Sequence, residues 1–298
     1  MEIKVEKQPK STYKITVKVP SVEVKKSYEE ILAEVIKGAE VPGFRKGSAP
    51  KELVLEKTDV SKLYGEVVND ILQKFYPQAL KEKSITPISN PKVEIKEFDL
   101  EKDFEFVATV AVKPEVKIKE FKQDLKKILE NKTESLKKDN EEKLKKGEEI
   151  THDHVHLTAD DLLNILLDKS EVEIAEILIE DETERMVGRF SQQVKGAGLS
   201  VDQYLTSQNK TLDSLKKDYE KVAEQTLKAE FVLSELVHKE GIEISDEELN
   251  ETIAAAGDPK LTEKMQNSIE KWYIKSVLQK NKLISKILEE VEGVKHEH

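Results

Sequence analysis

The chain contains no cysteine, which excludes disulfides, thiol nucleophiles and cysteine-ligated zinc or iron–sulfur centres. Aromatic residues make up only 5% of its 298 residues, and charged residues equal hydrophobic ones at 37% each. Such a composition is lean for a compact globule and suits long, solvated helices with thin apolar stripes. No apolar run approaches ~18 residues, so no membrane-spanning helix and no membrane partner are expected. Met1 to Lys7 alternate in charge and lack the apolar stretch of a secretory signal. There is no Gly-x-Ser-x-Gly elbow and no phosphate loop ending in Gly-Lys-Ser/Thr. These absences predict a soluble, cytoplasmic protein with no nucleophilic catalysis and no ATP or other cofactor. At ~150 residues per domain, the length allows about two domains.

Against that background one stretch stands out, Val41-Pro42-Gly43-Phe44-Arg45-Lys46-Gly47-Ser48-Ala49-Pro50. Two prolines and two glycines between helical patterns predict an ordered loop. From Val41 to Lys51 there are three basic side chains (Arg45, Lys46, Lys51) and no acidic one, in a chain of formal net charge -11. A cationic tip carrying a phenylalanine on an acidic body suits an anionic partner such as nucleic acid. Phe44 has a blander alternative, folding back into its own helical hairpin.

Around this loop, residues 1–20 read as a hairpin in which Ile3, Val5, Tyr13, Ile15, Val17 and Val19 alternate with polar neighbours about Pro9-Lys10. Ser21 is placed to cap a helix running to about Ala39, with Val24, Tyr28, Ile31, Leu32, Val35 and Ile36 on one face. Pro50 opens a second helix, and a third starts near Val60, with Pro77 predicting a kink or an early stop. Strand patterns follow at Val93–Phe98 and Phe104–Val112. Residues 1–113 therefore read as an α+β domain, an antiparallel sheet with helices on one face. Residues 114–157 are dominated by lysine and glutamate and read as a charged linker or arm.

Residues 158–298 read as an all-α domain of long helical arms. Thr158 and Asp161 form a capping box, Ser200 and Thr211 start further helices, Ser245 and Glu248 form another box, and Pro259 suits the first turn of the last helix. Leu167–Ile174 superimposes without a gap on Val237–Ile244. Two copies of a helix–connector–helix unit imply paired arms or a helical array rather than one enclosed core.

Gly43-Phe44-Arg45-Lys46-Gly47 followed by Pro50 closely resembles the ribosome-docking signature of trigger factor, the bacterial chaperone that meets nascent chains at the exit tunnel. Residues 1–113 are similar to the N-terminal domain of that family, and about 155–292 to its helical C-terminal domain, with Ser170-Glu171-Val172-Glu173-Ile174 the closest local match. The family carries an FK506-binding-type prolyl isomerase domain between these halves. Here the interval Lys113–His156 is too short and too poor in apolar residues for one. The resemblance therefore implies an ATP-independent, ribosome-associated chaperone that lacks isomerase activity and shields nascent or unfolded polypeptides. It assigns ribosome contact to Phe44, Arg45 and Lys46, with Gly43 and Gly47 shaping the loop, and makes the partner the large subunit, protein and rRNA, near the tunnel exit. Homodimerisation is left open.

Exposed apolar patches mark interaction sites, so Met186, Phe190, Tyr204, Phe231, Trp272 and Tyr273 are the candidate client-binding residues. Each has the alternative of simple helix packing. His152, His154 and His156 alternate and, with His296 and His298, could bind zinc or nickel, against the alternative of a solvated connector. No metal site is assigned. A helical adaptor or holdase that binds one specific partner off the ribosome is the competing functional class.

Overall fold

The computed structural model describes residues 1–146, 149, 155–256 and 268–293. The chain divides into two compact units, Met1–Pro114 with Ala175–Asp181, and Glu115–Ile174 with Glu182–His298.

The first unit contains β1 (Glu2–Gln8), β2 (Thr12–Val19), α1 (Ser21–Gly38), α2 (Lys51–Lys57), α3 (Val60–Glu82), β3 (Lys92–Ile95) and β4 (Phe104–Ala111). Its sheet is antiparallel in the order β1-β2-β4-β3. Ile15 lies opposite Ala108, Val17 opposite Phe106 and Val19 opposite Phe104. Alternation sends all six side chains to one face, where they are sealed from solvent with Val24 of α1 and Val67 and Ile71 of α3. The opposite face of β2 carries Thr12, Lys14, Thr16 and Lys18, none of them buried, so the expected one-sided helical cover is what the structure shows.

One local expectation for this unit is corrected, and of the two alternatives at Pro77 the early stop is excluded. The Ser21 side chain does not cap α1: Pro20 is the N-cap and makes no side-chain capping hydrogen bond. Instead the Asp103 carboxylate, just ahead of β4, accepts from the Ser21 N–H at 3.0 Å. α3 does not stop at Pro77 but continues to Glu82. The missing proline N–H costs it one internal hydrogen bond, while buried Ala79, one turn from its end, holds the last turns to the core.

The second unit contains β5 (Val116–Ile118), α4 (Lys122–Lys146), α5 (Ala159–Lys169), β6 (Ser170–Val172), the part of α6 (Glu176–Gly196) from Glu182 onward, α7 (Val201–Ser207), α8 (Leu212–Lys239), α9 (Asp246–Ala256) and α10 (Ser268–Glu292). The capping box predicted at Thr158 is present, its hydroxyl accepting from the Asp161 N–H and the Asp161 carboxylate accepting from the Thr158 N–H. Ser200 and Thr211 cap α7 and α8 in the same way. At α9 only half of the expected box forms: Ser245 accepts from the Glu248 N–H, while the Glu248 carboxylate is engaged by Lys282 of α10 at 2.9 Å. Pro259, Leu261 and Met265 lie outside the described residues.

The start of the lysine-rich stretch 114–157 is built into this unit. β5 pairs antiparallel with β6, and Val116, Phe121 and Leu125 are buried beside Leu162, Leu166, Leu233 and Leu283. Further along α4 the apolar stripe leaves the core, and Leu144 is 63% exposed. Lysine and glutamate dominate the composition because they fill the outer face, while few apolar residues are needed for the buried one. Asp124, for example, accepts from Lys169 at 2.6 Å, and Lys122 pairs with Glu290 at 2.8 Å.

The repeated connectors have diverged in how their backbones are satisfied. In the first copy Ser170 is extended and opens β6. In the second, Gly241 takes a φ of 59° and no strand forms; instead Gln279 and Lys282 of α10 donate to the Ile242 and Glu243 carbonyls. Val172 and Ile242 nevertheless contribute to one core drawn from α4, α5, α8 and α10. The expectation of an array without an enclosed core is thus revised, because α10 covers the seam the repeats leave open.

Candidate functional site

Between α1 and α2 the backbone makes two successive tight turns. Phe44 N–H donates to Val41 O at 3.0 Å across Pro42-Gly43, and Ser48 N–H donates to Arg45 O at 2.9 Å across Lys46-Gly47. Gly43 has φ 89° and Gly47 φ 76°, so each turn places its glycine where a side chain is disfavoured, the type II pattern at Pro42-Gly43. Gly47 has a second reason: a Cβ there would stand 3.0 Å from the Lys37 carbonyl oxygen. Its N–H also donates to Ala39 O at 3.2 Å, tying the second turn to the end of α1.

These turns decide the alternatives for Phe44. The small core beneath the loop is filled by Val41, Ala49 and Val54, with Val35, Ile36 and Ala39 against it. Phe44 is not in that core and is 44% exposed. Arg45 and Lys46 are exposed beside it, and Lys46 Nζ meets Glu40 Oε1 at 3.2 Å. The loop presents one aromatic ring and two cations on a fixed backbone. That arrangement can stack on or enter an apolar site while a guanidinium fork and an ammonium meet phosphate or carboxylate oxygens.

The six aromatic and methionine candidates of the second unit do not converge. Phe190 of α6 is half-buried and packs edge-on against Tyr204 of α7 at 5.3 Å and Tyr219 of α8 at 6.3 Å between ring centroids. It is the hub that joins three helices, which is the packing alternative. Phe231 is half-buried against the main core, and Met186 is half-buried on α6. Trp272 and Tyr273 on α10 differ sharply, at 69% and 64% exposed, with Val277 one turn on at 37%. Leu199, Leu212 and Val222 are also exposed, between 42% and 45%, and were not singled out from sequence. Leu199 and Leu212 sit immediately beside the α7 and α8 caps, a position that signals a chain end and not a packed stripe.

His152, His154, His296 and His298 lie outside the described residues. His156 Nδ1 lies 3.2 Å from Glu292 Oε2, and the other oxygen of that buried carboxylate accepts from the Leu157 N–H at 2.5 Å. Among the described residues no group of three histidine, aspartate or glutamate side chains could hold a metal ion. Among the same residues no helix is long and apolar enough to cross a membrane.

Comparison with known proteins gives two family matches that meet within α4. Residues 1–147 match the family model described as bacterial trigger factor protein, and residues 133–292 match that of the trigger factor C-terminus. The two matches overlap, so the chain passes from one family region to the other with no central domain between them. The trigger factor of Bacillus cytotoxicus is 39% identical over 108 residues, covering 36% of this chain and 25% of that protein. The trigger factor of Staphylococcus carnosus is 35% identical over 108 residues, covering 36% and 24%. The matched stretch thus spans about a quarter of the length of these relatives. A solved structure described as concerning promiscuous substrate recognition in folding and assembly activities of the trigger factor chaperone shares the fold, with a TM-score of 0.61 at 17% identity over 98% of this chain and all of that one. With one family model covering more than half of its length and a second covering the remaining N-terminal part, the chain belongs to the bacterial trigger factor family.

Proposed function

We propose that this chain is an ATP-independent, ribosome-associated chaperone that docks through the loop Gly43–Gly47 near the polypeptide exit tunnel and shields emerging chains. One observation carries the docking half: two glycine-dependent turns hold Phe44, Arg45 and Lys46 outward while Val41, Ala49 and Val54 fill the loop's own core. A loop that needed Phe44 for its stability would bury it. Residues 1–113 would be the ribosome-binding part. The client surface lies on the helical unit, where the exposed Trp272, Tyr273 and Val277 of α10 are its best-supported members. Scattered apolar residues of this kind hold a client weakly at several points, which lets it leave to fold without a nucleotide-driven step. With no isomerase domain between its two halves, the chain works by binding and not by catalysis on prolyl bonds, in the cytoplasm.

The test is co-sedimentation with bacterial ribosomes across a salt series, comparing wild type with Phe44→Ala/Arg45→Ala/Lys46→Ala. Binding that weakens with salt and is lost in the triple variant is expected, since each lost phosphate contact flattens the salt slope by about one. Equal binding by both proteins would refute loop docking. Suppression of aggregation of several unrelated unfolded proteins separates a chaperone from an adaptor, which would bind one partner stoichiometrically and ignore the rest.

A further inference from the structure

We infer that Glu40 is a built-in counter-ion that restrains Lys46 and so limits how tightly the loop docks; this rests on the docking reading above. Glu40 is the only acidic residue between Glu34 and Glu52. Of the three loop cations, Arg45 and Lys51 make no ion pair among the described residues, whereas Lys46 Nζ lies 3.2 Å from Glu40 Oε1. Both flanks of Glu40 are fixed. Ala39 O accepts from the Gly47 N–H at 3.2 Å and Val41 O from the Phe44 N–H at 3.0 Å, and Val41 is itself buried. The backbone on either side of Glu40 is therefore pinned to the two turns, which keeps its carboxylate within reach of Lys46.

An anionic group of the ribosome that engages Lys46 competes with Glu40 for it. The pair is well exposed, so the opposition is modest, worth about a two- to fivefold change in affinity. It falls further as salt screens the pair. Its effect is to keep docking reversible without altering Phe44 or Arg45. The loop is then strong enough to find the tunnel exit and weak enough to cycle.

The experiment adds Glu40→Gln, Glu52→Gln and Lys46→Ala, alone and with Glu40→Gln, to the ribosome co-sedimentation series. Glu52 is exposed in the first turn of α2 and makes no ion pair among the described residues, so its substitution removes the same charge without touching Lys46. Tightening by about two- to fivefold at low salt in Glu40→Gln, less in Glu52→Gln, and no gain from Glu40→Gln in the Lys46→Ala background are expected; the last comparison isolates the pairwise coupling. Equal tightening by both glutamine variants would reduce the effect to net charge and overturn the inference, as would a gain that persists without Lys46. If loss of Phe44, Arg45 and Lys46 together leaves binding intact, the docking reading itself fails and this inference with it.

Discussion

The two units solve the same problem with different materials. The α+β unit builds its core from alternating strands, and register alone puts Ile15, Val17, Val19, Phe104, Phe106, Ala108 and Val110 on one sealed face. The helical unit builds its core from narrow stripes on α4, α5, α8 and α10, such as Leu125, Leu162, Leu166, Leu233 and Leu283. Its outer faces are stitched by lysine–carboxylate pairs, Lys280 with Glu230 and Lys286 with Glu240 among them. A sheet face needs half of its residues apolar, a helix stripe about three in seven. The helical unit can therefore be highly charged and still keep a core, and it has outward helix surface on which Trp272 and Tyr273 can stand.

The comparison breaks most directly at the cores. Phe106→Ala should cost about 3–5 kcal/mol and lower the unfolding transition of the α+β unit, leaving that of the helical unit in place. Urea unfolding followed by backbone signals assigned to each unit would show it, and a single shared transition would mean that the two cores are not separately cooperative. Leu125→Ala should cost about 2–5 kcal/mol, read as a lower midpoint of the helical unit. A mutation in a mere charged linker would leave that midpoint unchanged.

Smaller effects sharpen the difference at the surface. Gly47→Ala should cost about 1–2 kcal/mol, confined to the loop, because the new methyl meets both a left-handed backbone and the Lys37 carbonyl. Faster amide exchange at Phe44 and Ser48 with unchanged exchange in the sheet would be the signature. Thr158→Ala should remove about 1 kcal/mol from the start of α5, measurable as a lower midpoint of the helical unit only. The smallest effect is a pH dependence at Asp161. Partial burial there raises the carboxyl's pKa, but the hydrogen bonds from Lys132 and Thr158 outweigh it and hold the group below its ordinary value. A lowered pKa contributes stability that is present above the unfolded value, near 4, and is lost as pH falls through the lower folded one. Asp161→Asn should flatten the acid limb of the helical unit's stability curve.

Much of this was readable from the chain because it depends on near neighbours. Thr158-x-x-Asp161 forms its box because residues three apart meet at a helix start, and Pro42-Gly43 makes its turn because proline presets one dihedral angle and glycine admits the next. Alternation in β2 and β4 exposed the sheet's inner face, and the Gly-Phe-Arg-Lys-Gly pattern located the loop. Contacts between distant residues were not readable. Asp103 caps α1 from 82 positions away, which no local spacing records. Phe121 and Leu125 stand in the stretch read as a charged linker or arm, yet both are buried in the core with residues of α5 and α10. Phe190 and Trp272 are both large aromatics on amphipathic helices, yet one is half-buried against Tyr204 and Tyr219 while the other stands in solvent. Periodicity marks the side of a helix that can be covered. Which stretch of that side is covered depends on where other helices end and cross, and only the tertiary structure decides that.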